Sequence, residues 1–402
     1  MAGKAVAASP RPDLLSRLAV QTAERERANL LRRVRTVDQA DGPWLDISGK
    51  RLLSFCSNDY LGLAQHPQLV AALRRAASEC GVGSTSAHLI CGHRTEHAEL
   101  EEALAAWTGR ERAVLFSTGY MANLGVMQAL LARGDVCVQD KLNHACLIDG
   151  AWLSGAELKR YPHVDVDAAT RQLASNDSAA ALLATDGVFS MDGDVAPLRE
   201  LATLCTRERA TLMVDDAHGF GVLGHSGSGS LEAAALHPYE VPVLMATLGK
   251  ALGCAGAFVA GSHALIQGLM QFARPYIYTT AMPPALAAAA LVATQLAQAE
   301  TWRREKLSAL IARFRQGASQ LGLTLSSSTT AIQPIVLGDA QAALDAANTL
   351  EWRGLLVTAI RPPTVPAGSA RLRITLSAAH EEAHVDKLLD ALQALRLPPA
   401  TS

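Results

Sequence analysis

The feature that most constrains this chain is an alternation through its middle, where short β-rich apolar runs are separated by longer helical patterns. Ala113–Ser117, Asp135–Gln139, Ala181–Thr185, Thr211–Asp215, Val243–Thr247 and Gly256–Ala260 read as strands. Most are near-continuously apolar, as expected when helices cover both faces of a sheet. Stretches such as Tyr120–Ala132 and Pro197–Arg209 between them carry the helical period. The alternation predicts an α/β fold with a large, mostly parallel sheet. Past an Ala-rich helix over Ala285–Ala299 the pattern changes. A charged helix over Trp302–Leu321 leads to strands near Ile332–Leu337, Leu355–Ile360 and Arg371–Leu376, then a terminal helix. The expected organisation is a helical N-terminal segment (1–55), a large α/β domain (56–295) and a small C-terminal α/β domain (296–402).

Composition removes several classes of function. Lys plus Arg is 36 against 38 Asp plus Glu, a net charge of −2, so no broad nucleic-acid footprint is expected. No run of about 18 strongly apolar residues is present, so no membrane span is expected. The seven cysteines are scattered and form no C-x-x-C pair, which argues against a disulfide framework or zinc ribbon and for a reducing, cytoplasmic compartment. The Arg-rich first 35 residues lack the apolar stretch of a signal peptide, and Asp13, Glu24 and Glu26 weaken a transit peptide. They read as an amphipathic helix.

Open α/β sheets place their sites at the carboxyl ends of the strands. Ser117-Thr118-Gly119-Tyr120 follows the first strand and opens a helix. Asn143-His144 follows the second, and Asp186 with Ser190-Met191-Asp192 the third. Asp215-Asp216-Ala217-His218 follows the fourth, and Thr247-Leu248-Gly249-Lys250 the fifth. A partly desolvated lysine at a strand end has a lowered pKa and a free amine for a Schiff base. An aspartate on a neighbouring strand can keep a pyridinium nitrogen protonated, a helix N-terminus suits a phosphate, and a histidine can stack on a ring. Each has a bland alternative, such as a surface lysine or a capping aspartate. Together, in this order, they point to pyridoxal phosphate.

Competing motifs fail. Gly249-Lys250 lacks the rest of a phosphate loop, and Gly81-Val-Gly83 lacks the third glycine of a dinucleotide fingerprint. His93-Arg-Thr-Glu-His97 fits a zinc-protease pattern, but Thr95 is a plausible N-cap. His93 is then expected outside the helix, on no common face with His97, so no metal is expected. No G-x-S-x-G elbow occurs.

The chain resembles the α-oxoamine synthase family of fold-type-I pyridoxal-phosphate enzymes. The matching stretches are Ser57-Asn-Asp-Tyr-Leu-Gly-Leu63, Gly187-Val-Phe-Ser-Met-Asp-Gly-Asp194, Leu212-Met-Val-Asp-Asp-Ala-His-Gly219, Thr247-Leu-Gly-Lys250 and Tyr278-Thr-Thr-Ala-Met-Pro-Pro284. Arg361-Pro-Pro-Thr-Val-Pro366 is similar to the branch that condenses L-alanine with a pimeloyl thioester, losing CO2, in biotin synthesis. The resemblance implies a homodimer whose neighbouring subunit completes the site. It also implies roles. Lys250 is the Schiff-base lysine, Asp215 the pyridinium partner, His218 the donor to the ring hydroxyl oxygen and His144 the stacked residue. Ser190, Gly119, Tyr120 and Thr247 contact the cofactor, the last three at its phosphate, with Thr280 reaching in from the partner. Arg373 clamps the amino-acid carboxylate, Arg32 and Thr364 meet the acyl substrate, and Asn58 lies at the substrate entrance. Tyr120 stands where phenylalanine is commoner, and Ala87–His93 departs from the Gly- and Ser-rich versions expected. A sibling enzyme using glycine or serine, such as a glycine C-acetyltransferase, and a non-catalytic binding protein with the same fold remain open. So does the acyl carrier, coenzyme A or a carrier protein.

Overall fold

The computed structural model describes residues 11–395; the outermost ends of the expected segments 1–55 and 296–402 lie outside the described residues. The first element is a helix, Leu14–Arg27, capped by Asp13, which accepts the Leu15 N–H; none of its side chains is buried. The remainder of the segment expected to be helical is not. It forms strands β1 (Gln39–Asp41), β2 (Trp44–Ile47) and β3 (Lys50–Ser54), antiparallel neighbours joined by tight turns. The second turn, Ser48-Gly49, has φ of 51° and 76°, the positive pair that two-residue hairpin turns require.

The large sheet contains β4 (Arg112–Phe116), β5 (Val136–Asp140), β6 (Glu157–Tyr161), β7 (Ala181–Asp186), β8 (Thr211–Asp215), β9 (Val243–Thr247) and β10 (Ala257–Gly261), in the order β4-β10-β9-β8-β7-β5-β6. All six expected strands form. β6 adds a seventh at the edge, where Glu157 and Arg160 face water and its charged residues break the apolar pattern that marks the others. Only β10 is antiparallel to its neighbours, because residues 248–256 are too few for a crossover helix. That short return makes the β9–β10 connection a tight loop, and Lys250 sits on it.

The smaller unit holds β11 (Ile332–Gly338), β12 (Leu355–Leu356), β13 (Thr358–Ile360) and β14 (Ala370–Thr375). The run expected as one strand over Leu355–Ile360 breaks at Val357. β12 pairs in parallel with β3 in the order β1-β2-β3-β12, whereas β13 joins the sheet β11-β14-β13. The N-terminal strands therefore hydrogen-bond to the C-terminal unit across the boundary expected at residue 55. A contiguous apolar cluster runs from Leu115 and Phe258 of the large sheet to Leu355 and Leu372 of the smaller unit. Among the described residues no helix is long and apolar enough to cross a membrane.

The Lys250 loop is closed by hydrogen bonds from Gly253 N–H to Lys250 O (2.9 Å) and from Cys254 N–H to Leu248 O (2.9 Å). Gly253 has φ +64°, and a Cβ there would lie 2.3 Å from the backbone nitrogen of Ala64. Both the left-handed conformation and the close approach demand glycine. Gly253→Ala is expected to lower the unfolding free energy by at least ~2 kcal/mol in urea titration. A variant of wild-type stability would show that the loop is not held this way.

Candidate active site

The two adjacent aspartates at the end of β8 face different surroundings. Asp215 accepts the Ala217 N–H on Oδ1 (3.0 Å) and the Asn123 side-chain amide on Oδ2 (2.7 Å). One donor on each oxygen fixes the plane of the carboxylate and leaves lone pairs for a further donor. Asp216 accepts the Ser230 N–H at 2.7 Å, and a Cβ on Gly187, Gly219 or Gly229 would strike its carboxylate. Burial pushes it up to about 7. Asp215 thus keeps acceptor capacity to spare, whereas Asp216 is enclosed in the core.

The charge of Asp215 acts on both Lys250 and His144, and His218 follows it three residues along the chain. Burial lowers the Lys250 amine, against the opposing pull of the Asp215 and Asp186 carboxylates, so a larger fraction is uncharged than for a lysine in water. His218 shares a 2.6 Å hydrogen bond between Nδ1 and the Tyr60 hydroxyl. Burial, then the charges of Lys250, Arg373 and His144, hold it well below its ordinary value. His144 caps the helix Ala145–Ser154; its N–H donates to Asp186 Oδ2 (3.0 Å), and its Nδ1 accepts the Cys146 N–H (3.3 Å). The residue is covered on the side of these bonds and keeps part of its surface accessible, where it lines a cavity.

Beside this group the helix Gly119–Leu130 begins, capped by Thr118, whose hydroxyl accepts the Met121 N–H. The Gly119 and Tyr120 N–H groups fall in the first turn, where no helical carbonyl can reach them. The Tyr120 hydroxyl donates to Asp149, so the change from phenylalanine adds one bond and leaves the backbone amide as it was. Thr247 donates to Gly256 O (2.9 Å) and accepts the Gly249 N–H (3.2 Å).

A cavity of about 620 Å³ opens next to His144 and Ser190 and reaches Arg32 and Thr364, which hydrogen-bond at 3.2 Å. Lys250, Asp215 and His218 do not line it. Arg373 is buried. Its Nε donates to Ser190 O (2.7 Å), its Nη1 to Thr375 Oγ1 (2.9 Å), and both Nη atoms make long bonds to Asn58 Oδ1 (3.4 and 3.3 Å). Thr280 lies apart from this cavity, lining a hollow of about 470 Å³ with Ser84, Thr85, Ser117 and Gly256.

Several residues not singled out from the sequence support the site. Tyr60, inside the Ser57–Leu63 motif, could have been found there; Asn123, Cys146 and His163 carry no local signal. His163 bridges Asp140 (3.1 Å) and Asp194 (2.8 Å) and meets the edge of Phe189, tying down the turn that presents Ser190. The expectation for His93 and His97 needs correction. His93 does lie outside the helix, but a π-helical turn over His88–Gly92 brings ring atoms of His88, His93 and His97 within 4.8 Å. Thr95 is the first helical residue rather than the cap. His97 is spoken for on both nitrogens, accepting the Arg94 N–H (2.9 Å) and bonding Met282 O (2.8 Å), as a histidine that closes a helix end does.

Residues 50–392 match the family described as aminotransferase class I and II. A Pseudomonas putida KT2440 protein named 8-amino-7-oxononanoate synthase is 58% identical over 93% of this chain and 96% of its own length. One of that name from Cellvibrio japonicus is 56% identical over 93% and 94%. The chain belongs to the 8-amino-7-oxononanoate synthase family. Among solved structures, serine palmitoyltransferase from Sphingomonas wittichii superposes with a TM-score of 0.92 at 32% identity, covering 96% of this chain and 98% of that one. A lysine-to-alanine variant of serine palmitoyltransferase from S. paucimobilis, with a bound PLP–myriocin aldimine, gives 0.91 at 30%, with the same coverage. The 8-amino-7-oxononanoate synthase family is dependent on pyridoxal phosphate, so the chain is an enzyme of the fold-type-I pyridoxal-phosphate class. The donor set agrees with that cofactor: an amine of lowered pKa, a carboxylate with lone pairs to spare, a partly accessible histidine and a helix N-terminus with free amides.

His163 gives the region a pH dependence. Burial lowers it, but hydrogen bonds to Asp140 and Asp194 outweigh burial and raise it to about 10. Its contribution is full below the unfolded value near 6.5 and fades as pH rises through the folded value near 10. Wild type should lose ~1–2 kcal/mol between pH 6.5 and 10, a figure discounted for the partly exposed ring. His163→Gln should lack that component in urea titrations across the range, and a slope unchanged by the substitution would remove the assignment.

Proposed function

We propose that the enzyme condenses L-alanine with a pimeloyl thioester to give 8-amino-7-oxononanoate, CO2 and free thiol. The observation that carries the reading is the pairing of a buried strand-end carboxylate, Asp215, with the lowered amine of Lys250 on the next strand's loop. In this reading Lys250 would take the cofactor aldehyde and Asp215 the ring nitrogen. His218 would serve the ring hydroxyl and His144 the ring face, with Ser190 as a further contact. The Gly119 and Tyr120 amides and Thr247 would hold the phosphate, with Thr280 from a second copy. When bound, pyridoxal phosphate supplies an electron sink for the carbanion at alanine Cα.

The chain's own groups do the rest. Lys250 Nζ removes the Cα proton as a general base, which its lowered pKa favours near neutrality. Arg373 takes the alanine carboxylate. Asn58 Oδ1, on long bonds to both Nη atoms, occupies the place a carboxylate oxygen would take and yields to it. The acyl chain lies along the cavity beside Ile148, Met191 and Val365. Arg32, Lys141 and Arg160 face the same cavity, while its carboxylate Asp192 is paired with Arg371. That excess positive charge suits an anionic donor, on coenzyme A or an acyl carrier protein.

Asp215→Asn should keep the cofactor but lose turnover by about 10²-fold or more; near-normal turnover would refute the pyridinium role. Wild type should use alanine with pimeloyl thioester in preference to glycine with acetyl thioester. The opposite preference would favour the glycine-using sibling, and a colourless protein the non-catalytic reading.

We further infer a homodimer in a cytoplasmic setting. The helix Leu14–Arg27 exposes Leu14, Leu15, Leu18 and Val20 and buries nothing within the chain, yet an isolated helix this short is marginal in water. A second copy covering it accounts for both facts. Sedimentation should give twice the chain mass, and Leu15→Asp/Leu18→Asp should weaken the association; a monomeric wild type would end this reading.

A further inference from the structure

Asn123 is fully buried in the helix Gly119–Leu130. Its Nδ2 donates to Asp215 Oδ2 at 2.7 Å and to Cys146 Sγ at 2.9 Å. Both amide protons are thereby used, and Oδ1 is left buried with no partner. Flipping the amide would aim that oxygen at a carboxylate, so the orientation is forced. A buried acceptor without a donor is destabilising, and packing alone would prefer an apolar side chain of the same shape, such as leucine. The two donors on one nitrogen are what leucine lacks.

Cys146 extends the connection. Its sulfur lies 2.8 Å from His144 Nδ1, and its backbone N–H points at the same atom from 3.3 Å. Because the sulfur accepts from Asn123, its own S–H is available to donate to Nδ1. With two donors on Nδ1, the imidazole proton resides on Nε2. A thiolate–imidazolium pair is disfavoured on both sides. Burial, with Asp215 and Asp186 beside it, raises the thiol. Burial and Lys250 lower His144 against the weaker opposite pull of Asp215 and Asp149.

We propose that Asn123 and Cys146 are positioning residues, an amide–thiol bridge that locks the Asp215 carboxylate in one plane and pins His144 as the neutral Nε2–H tautomer. The bridge couples the group assigned to the ring nitrogen with the group assigned to the ring face. Its purpose rests on the pyridoxal-phosphate reading of the site; the His144 tautomer is a property of the protein alone and can be measured whatever the ligand.

The test uses 15N-histidine-labelled protein purified with pyridoxal phosphate, in wild type, Cys146→Ala, Cys146→Ser and Asn123→Leu. The His144 signals are assigned by their loss in His144→Asn. Wild type should show a single Nε2–H tautomer. Cys146→Ser, which keeps a donor, should match it, whereas Cys146→Ala should show mixed tautomers and an upward shift of His144 by about half a unit. Asn123→Leu should keep its thermal unfolding midpoint, since the unpaired oxygen is gone, yet release pyridoxal phosphate on the order of tenfold more readily. The proposal is overturned if Cys146→Ala keeps a single tautomer, or if Asn123→Leu holds the cofactor as wild type does. A fall in cofactor affinity that only tracks lost thermal stability would likewise overturn it by assigning Asn123 to packing. Should Asn123→Leu not fold, the Cys146 pair decides. Protein that holds no pyridoxal phosphate but shows the expected tautomers would defeat the cofactor reading and leave the bridge standing.

Discussion

A carboxylate and an amine are removed from water at neighbouring strand ends, and each makes the other tolerable. Either charge alone in that position would be expelled or neutralised. Burial lowers Lys250, but Asp215 and Asp186 limit the fall. Asp215 is sustained by a backbone donor and a side-chain donor. The parallel arrangement of β5, β7, β8 and β9 makes the meeting possible, because it brings their carboxyl ends to one edge. The antiparallel return of β10 then holds Lys250 on a loop too short to stray.

Much of this was legible in the sequence, for a physical reason. Strands buried on both faces need unbroken apolar runs, and those runs end where polar chemistry begins. Asp215, Lys250, His144 and Ser190 each follow such a run, so the site could be read as a series of strand ends. The edge strand β6 was not legible, because half of it faces water. The N-terminal hairpin was hidden among charged residues, although its two-residue loops, Gly42-Pro43 and Ser48-Gly49, are made of turn formers. Periodicity alone does not separate the two adjacent aspartates, and only the family resemblance singled out Asp215; of the glycines that crowd Asp216, Gly187 and Gly229 come from other segments.

Asn123 and His163 escaped notice for a related reason. Each acts through a partner distant in sequence: Asn123 on Asp215, His163 on Asp194. Their helix and loop positions are equally consistent with ordinary capping or surface residues. A motif records the groups that touch a ligand, whereas the groups that hold them still are chosen by three-dimensional proximity, which one sequence does not display.

The bonds of Arg373 show how far such support goes. A bare guanidinium in a buried cleft would be unstable, yet one fully satisfied by the protein could not bind anything. Here Nε and part of Nη1 are held by short bonds to Ser190 O and Thr375 Oγ1, which set the orientation. The remaining donors rest on Asn58 Oδ1 at distances near the limit of a hydrogen bond. A carboxylate that replaces this neutral acceptor gains charge-assisted bonds while displacing weak ones, and the guanidinium need not reorganise. The protein alone thus fixes the orientation, and under the proposed role of Arg373 the interaction left for a substrate is the one that discriminates a carboxylate from the amide it displaces.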